Sequence, residues 1–266
     1  IVQFGLNYRK APFNSEPFRQ AMSLAIDRQA IVDTILLGQG QAGDKGYPHP
    51  ASPWTSPELS TPYDTAQAIA ILDELGYSDA NGDGFRETPE GDELNISIKV
   101  SSAEPIYVRA AEMMVEQYKQ VGLKLFVETL DPTTFAAHNS EKNFDTYVSL
   151  IGPHGVADPD QFIMSHRSGY LWAKEMPYPA MDTLIEQWMA APTIAERKLI
   201  SFDMQKLYNE QPTAVALYYP KEVYAYNAEK YDGYVESLGY GIVNKFSFLP
   251  EETKQAVSAT QPVFVK

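Results

Sequence analysis

Apolar residues recur along this chain with two periods, one helical and one extended, and the switches between them outline the fold. The stretch "NSEPFRQAMSLAIDRQAIVDTILLG" puts Phe18, Ala21, Met22 and Ala25 on one helical stripe, which Leu24, Ile31 and Ile35 widen. Asn14 or Ser15 can cap it, Pro17 suits its first turn and Gly38 its stop. The pattern predicts one mostly buried helix. Residues 38–63 are rich in Gly, Pro and Ser and predict an irregular excursion carrying Tyr47, His49 and Trp54. A shorter helix is expected over 64–75, capped by Asp64 and closed by Gly76.

The clearest unit follows. "LNISIKVSS" alternates like a strand, and "PIYVRAAEMMVEQYKQVG" carries Ile106, Ala110, Met113, Met114 and Val121 on a helical face behind Pro105. "LKLFVET" alternates again. Strand, helix and strand with short connections predict a right-handed crossover between parallel strands. "FDTYVSLI" (144–151) predicts a further buried strand. Helices are expected near 178–190 and 194–210, and strands at "AVALYYP" (214–220) and "EVYAY" (222–226). The pattern is α/β, with no internal repeat.

Composition narrows the functional classes. The chain has 266 residues with 35 acidic and 21 basic side chains, a formal charge of −14. Such a surface repels phosphate backbones and argues against nucleic acid or an anionic membrane as the main partner. Cysteine is absent, which removes disulfides, thiol catalysis and zinc–thiolate sites. No apolar run is long enough to span a membrane. The opening "IVQFGLNYRK" carries no leader pattern and leaves secretion open.

One motif points to a metal. "DANGDGFRETPE" (79–90) fits the spacing of a calcium loop, with Asp79, Asn81 and Asp83 at alternate positions, Gly84 at the bend and Glu90 at the end. The Phe85 carbonyl and Glu87 or Glu90 could complete the set. A helix precedes the loop but a strand follows it, so it is not an EF-hand. The expected role is a structural calcium pinning the turn; otherwise the letters describe a solvated turn.

Several segments together resemble the family 5 extracellular solute-binding proteins, the receptors of ABC-type importers of peptides, nickel and oligosaccharides. The opening "LNYRKAPFNSEPFRQAMSLAIDRQAI" resembles that family's first segment here. The likeness continues in order through "YDTAQAIAILDELGYSDANGDGFRETPEG", "AAEMMVEQYKQVGLKLFVETLDPTTF", "FD…DPDQF", "YPAMDTLIEQW", "ERKLISFDMQKLYNEQPTAVALYY" and "GYV". The resemblance implies a periplasmic-binding-protein-like lobe, a mixed sheet flanked by helices. Residues 1–221 would form a C-terminal ligand-binding lobe. Residues 222–266 would return toward an N-terminal lobe of the same protein, or fold against strand 2–8, or pack on another copy of the chain.

The implied function is capture of a small-molecule or peptide ligand between two lobes, without catalysis, followed by delivery to an ABC importer permease. The implied location is periplasmic or extracellular, possibly with a lipid anchor. In peptide-binding members, the region matching 144–159 supplies an arginine and a carboxylate to the peptide ends. Here Val148 stands at the first position and His154 or Gly155 at the second. A buried ammonium without a counter-charge costs several kcal/mol, so the substitutions favour a neutral or polar ligand. His154 is then the candidate polar contact, Tyr170 and Trp172 the stacking surface, with Trp54 or Tyr47 contributing from the earlier loop. Asp158, Pro159 and Gln161 read first as a helix start. Two rivals stand beside this reading, a calcium-stabilised extracellular interaction module and a carboxylate-based hydrolase. The hydrolase has no supporting motif.

Overall fold

The computed structural model describes residues 1–44, 48–151, 163, 166–169, 177–221, 223–236 and 241–254. Six strands form one mixed sheet: β1 (Val2–Leu6), β2 (Gly40–Ala42), β3 (Asn95–Ser101), β4 (Lys124–Leu130), β5 (Thr146–Leu150) and β6 (Ala214–Pro220). Their spatial order is β2-β6-β1-β5-β3-β4. The predicted crossover holds: β3 pairs parallel with β4, Ile98 opposite Val127, and also parallel with β5 on its other side. β1 runs antiparallel to both neighbours, with Phe4 opposite Val148 and Val215. β2 pairs antiparallel with β6.

Seven α-helices are described: α1 (Glu16–Leu24), α2 (Arg28–Ile35), α3 (Thr65–Glu74), α4 (Pro105–Lys119), α5 (Pro132–Glu141), α6 (Pro179–Ala190) and α7 (Ile194–Glu210). The main core packs α1 to α4 on the sheet face carrying Phe4, Ile96, Ile98, Val100 and Val148. A second core lies between α6 and α7, built on Tyr178, Met181, Ile185, Met204 and Tyr208.

Four expectations change. The single helix predicted over the opening apolar stripe is two, because Asp27 leaves helical geometry and caps α2 by accepting from Ala30 N. The break is fastened from outside. Gln117 of α4 accepts from Asp27 N at 3.1 Å and donates to Asp27 O at 3.2 Å. The irregular excursion contains β2, a short edge strand beside β6. Helix α5 was not anticipated; none of its residues is buried, so it has no apolar stripe to read. Among the described residues of "EVYAY" there is no strand, and residues 223–232 are exposed throughout. Alternating residues need a free strand edge, and both edges of β1 are already taken by β5 and β6.

Three charged residues of the family-like segments are held inside this frame. Arg28 donates from Nε to Ala216 O at 2.9 Å, from Nη1 to Ile26 O at 3.3 Å and from Nη2 to Ser23 Oγ at 2.8 Å. Burial pulls its pKa down to about 10. Arg19 donates to Pro212 O and Phe13 O, both at 2.7 Å. Together they tie α1 and α2 to β6 and to the chain entering it. Asp145 accepts from Ser97 N and Oγ at 3.0 and 2.9 Å and pairs with Lys10. Burial pushes its carboxyl up, but the Lys10 and Ser97 donors outweigh it and hold the group below the ordinary value.

Candidate functional site at the carboxyl edge of the sheet

Parallel strands direct their carboxyl ends to one side, and open α/β sheets bind ligands outside those ends. Here β3, β4 and β5 end at Ser101, Leu130 and Leu150 along one edge. The antiparallel register places Val2 opposite both Leu150 and Tyr218, so β1 starts and β6 ends on that same edge. Leu150 is 50% exposed there, a large apolar residue at the mouth of the sheet.

The loop after β2 is fixed over the β6 end. Tyr219 donates its hydroxyl to Pro48 O at 2.9 Å, and the His49 ring meets Tyr219 edge-on at 4.9 Å. Burial lowers the His49 pKa below its ordinary value. Gln205 of α7 donates to Trp54 O at 2.7 Å and accepts from Ser56 N at 2.8 Å. Trp54 is therefore held half-buried by a side chain about 150 residues away. Sequence reading missed Gln205, because a glutamine in an amphipathic helix carries no local signal. Tyr47, His154, Tyr170 and Trp172 lie outside the described residues, as do Gly155, Asp158, Pro159 and Gln161. Val148 is buried in the main core at 1% exposure, so this position presents no polar group to a ligand.

At the start of α4, Glu104 accepts from Tyr107 N and Val108 N through its carbonyl, while its carboxylate makes no cap bond. Asp131 is engaged: its Oδ1 accepts from Thr133 N and Thr134 N at 3.0 and 3.1 Å, capping α5. The described residues 101–107, 130–134 and 149–151 include no Lys, Arg or His.

The acidic loop sits at the opposite edge, where β3 begins and where Arg86 N donates to Gly122 O ahead of β4. One carboxylate oxygen each from Asp79, Asp83 and Glu87 lies within 4.8 Å of the others; Glu90 is not in that group. Asp79 accepts from Gly82 N, Asp83 N and Gly84 N at 2.8, 3.1 and 3.0 Å, and Asp83 Oδ1 accepts from Phe85 N at 2.8 Å. Asn81 accepts from Asp83 N at 2.8 Å and donates to Glu87 at 2.6 Å; Glu87 also accepts from Ala80 N at 2.7 Å. Gly82 and Gly84 have φ of 80° and 91°, which a side chain would strain.

With this architecture on the page, the comparisons with known proteins are direct. The model of the bacterial extracellular solute-binding proteins, family 5 (middle region), matches residues 1–173. The chain belongs to that family. It is 26% identical over 246 residues to the oligopeptide-binding protein AppA of Bacillus subtilis, covering 88% of this chain and 44% of AppA. It is 23% identical over 216 residues to the nickel-binding periplasmic protein of Escherichia coli, covering 79% and 41%. A crystal structure of a periplasmic oligopeptide-binding protein of Thermotoga maritima, with mannohexaose bound, superposes with a TM-score of 0.71 at 22% identity. That superposition covers 82% of this chain and 43% of the other. The chain thus spans less than half the length of these relatives.

Proposed function

We propose that residues 1–221 form the C-terminal ligand-binding lobe of the substrate-binding component of an ABC-type importer for peptides or related small solutes. The observation that carries this is the family match, placed on a lobe whose parallel strands end at an open edge. Capture works by closing that edge against an opposite lobe of the same protein. Contacts from both sides exist only in the closed state, so the ligand selects it, and no bond in the ligand is broken. The exposed segment from residue 223 suits a path back to that lobe, or contact with another copy. The protein works in the periplasm or outside the cell, with any lipid anchor on the parent chain, and hands its ligand to a membrane permease. The test is a thermal-shift screen of the full-length parent against peptides and oligosaccharides. One class should raise the midpoint and be recovered unchanged; a converted ligand would favour the hydrolase instead.

The acidic loop carries a separate proposal. We infer a structural calcium held by Asp79, Asp83 and Glu87 with Asn81 and the Phe85 carbonyl, which would offset the mutual repulsion of three close carboxylates. Calcium at about a hundred times its dissociation constant adds roughly 2.7 kcal/mol, a midpoint rise of several degrees. Replacing Asp79 and Asp83 together with asparagine should remove the rise. A wild-type midpoint that calcium leaves unmoved removes the proposal, and with it the calcium-stabilised module as a rival.

A further inference from the structure

Tyr218 stands out within the core. Its residue exposure is 1%, and its hydroxyl is buried with no hydrogen-bond partner. An unpaired buried hydroxyl costs about 1–3 kcal/mol, so such groups call for an explanation. Tyr218 is the β6 residue opposite Val2, at the carboxyl edge. After burial, the groups that act on its titration are Tyr107 and Glu104, from the start of α4. Exposure falls from Glu104 through half-buried Tyr107 to Tyr218. The three side chains therefore run from solvent to a buried hydroxyl that lacks a partner.

The charge pattern selects what could fill this place. The positive end of the 15-residue helix α4 opposes a cation. The Glu104 carboxylate, free of any cap bond, opposes an anion. The neighbouring strand ends supply no Lys, Arg or His among the described residues. A neutral group that both donates and accepts satisfies all of these at once. It donates to Glu104, pairs with the Tyr218 hydroxyl, and lays its apolar face on the Tyr107 ring and the exposed Ile106 and Leu150. Vicinal hydroxyls on a sugar ring have this character; a free amine or carboxylate does not.

We propose that Glu104, Tyr107 and Tyr218 form a subsite for a neutral, hydroxyl-rich solute, a carbohydrate by class. The proposal rests on the solute-receptor reading and names its substrate.

The experiment follows backbone amide signals of Ser101–Val108 by NMR while the chain is titrated with maltotriose, raffinose, tri-alanine, ethylammonium chloride and sodium acetate. A saccharide is expected to shift these signals saturably, and the charged probes are not. Glu104→Gln should weaken saccharide binding about tenfold, the equivalent of one hydrogen bond to a charged group. Tyr218→Phe should weaken it by a smaller factor and leave the unfolding midpoint unchanged or higher, since no bond is lost in the free protein. Saccharide affinity unchanged in both variants overturns the subsite, as does a Tyr218→Phe midpoint that falls. If tri-alanine, ethylammonium or acetate binds the rim while neither saccharide does, the receptor reading stands and the carbohydrate assignment fails. If no probe moves any rim signal, both fail.

Discussion

Arg28→Ala is expected to cost about 3–5 kcal/mol of folding stability, the scale for removing one partner from a buried charged hydrogen-bond set. The guanidinium holds three acceptors on three pieces of chain: Ser23 in α1, Ile26 in the break between α1 and α2, and Ala216 in β6. Removing it leaves two backbone carbonyls and a hydroxyl without that donor in a site too tight to admit ordered water. A buried ion pair can often be replaced by an apolar residue of similar volume, but here the acceptors belong to the backbone and remain after any substitution. Arg28→Met should therefore restore packing and still lose about 2 kcal/mol or more. Arg28→Lys should fall between wild type and alanine, because one ammonium cannot span three acceptors held by a planar fork. Urea unfolding followed by circular dichroism measures all three. A methionine variant as stable as the wild type would contradict the assignment.

A methyl group at Gly5 should be nearly as damaging, about 3 kcal/mol on the scale for overpacked cores. A Cβ there would lie 2.0 Å from Cε1 of Tyr147 and 2.2 Å from Cζ, well inside contact distance. The ring cannot swing away cheaply. Its hydroxyl accepts from Gln3 Nε2 at 2.7 Å, its edge meets Phe144 at 5.0 Å, and Gly5 and Tyr147 are cross-strand partners. Shortening Tyr147 to valine should itself destabilise, yet the double variant Gly5→Ala with Tyr147→Val should lose less than the sum of the two. A coupling of about 1–2 kcal/mol is expected for neighbours in contact. Additive losses would mean that the clash is relieved elsewhere.

These two positions show what a linear reading can and cannot reach. Elements with a strong period and local punctuation were legible: α3 between Asp64 and Gly76, the crossover β3–α4–β4, and the α6–α7 pair. Their caps and apolar stripes lie within a few residues of one another. The break at Asp27 was not legible, because Gln117 that fastens it is ninety residues downstream in sequence. Helix α5 turns no buried side chain inward, and three-residue β2 exists only because β6 offers an edge. The segment "EVYAY" failed in the opposite sense, since a strand-like alternation has no structure without a partner. The family-like segments marked Arg19, Arg28 and Asp145 by position, but their meaning as ties between elements needed the fold.

The candidate site divides the same way. The carboxyl edge follows from predicting parallel strands, and Trp54 from the aromatic content of its loop. Gln205 and Tyr218 were invisible: one reads as a solvent-facing helix residue, the other as one aromatic in an apolar strand. Their roles come from long-range placement. The absence of charge at Val148 was legible, and the structure adds that this side chain belongs to the core.

Calorimetry with one ligand, taken from the screen of the parent protein, tests the central claim most directly. The ligand is titrated into this 266-residue chain and into the parent chain that carries both lobes. Capture between two jaws predicts a dissociation constant near 1 mM or weaker for the single lobe, and about a thousandfold tighter for the pair, a difference of about 4 kcal/mol. Equal, tight binding by the single chain would contradict the account.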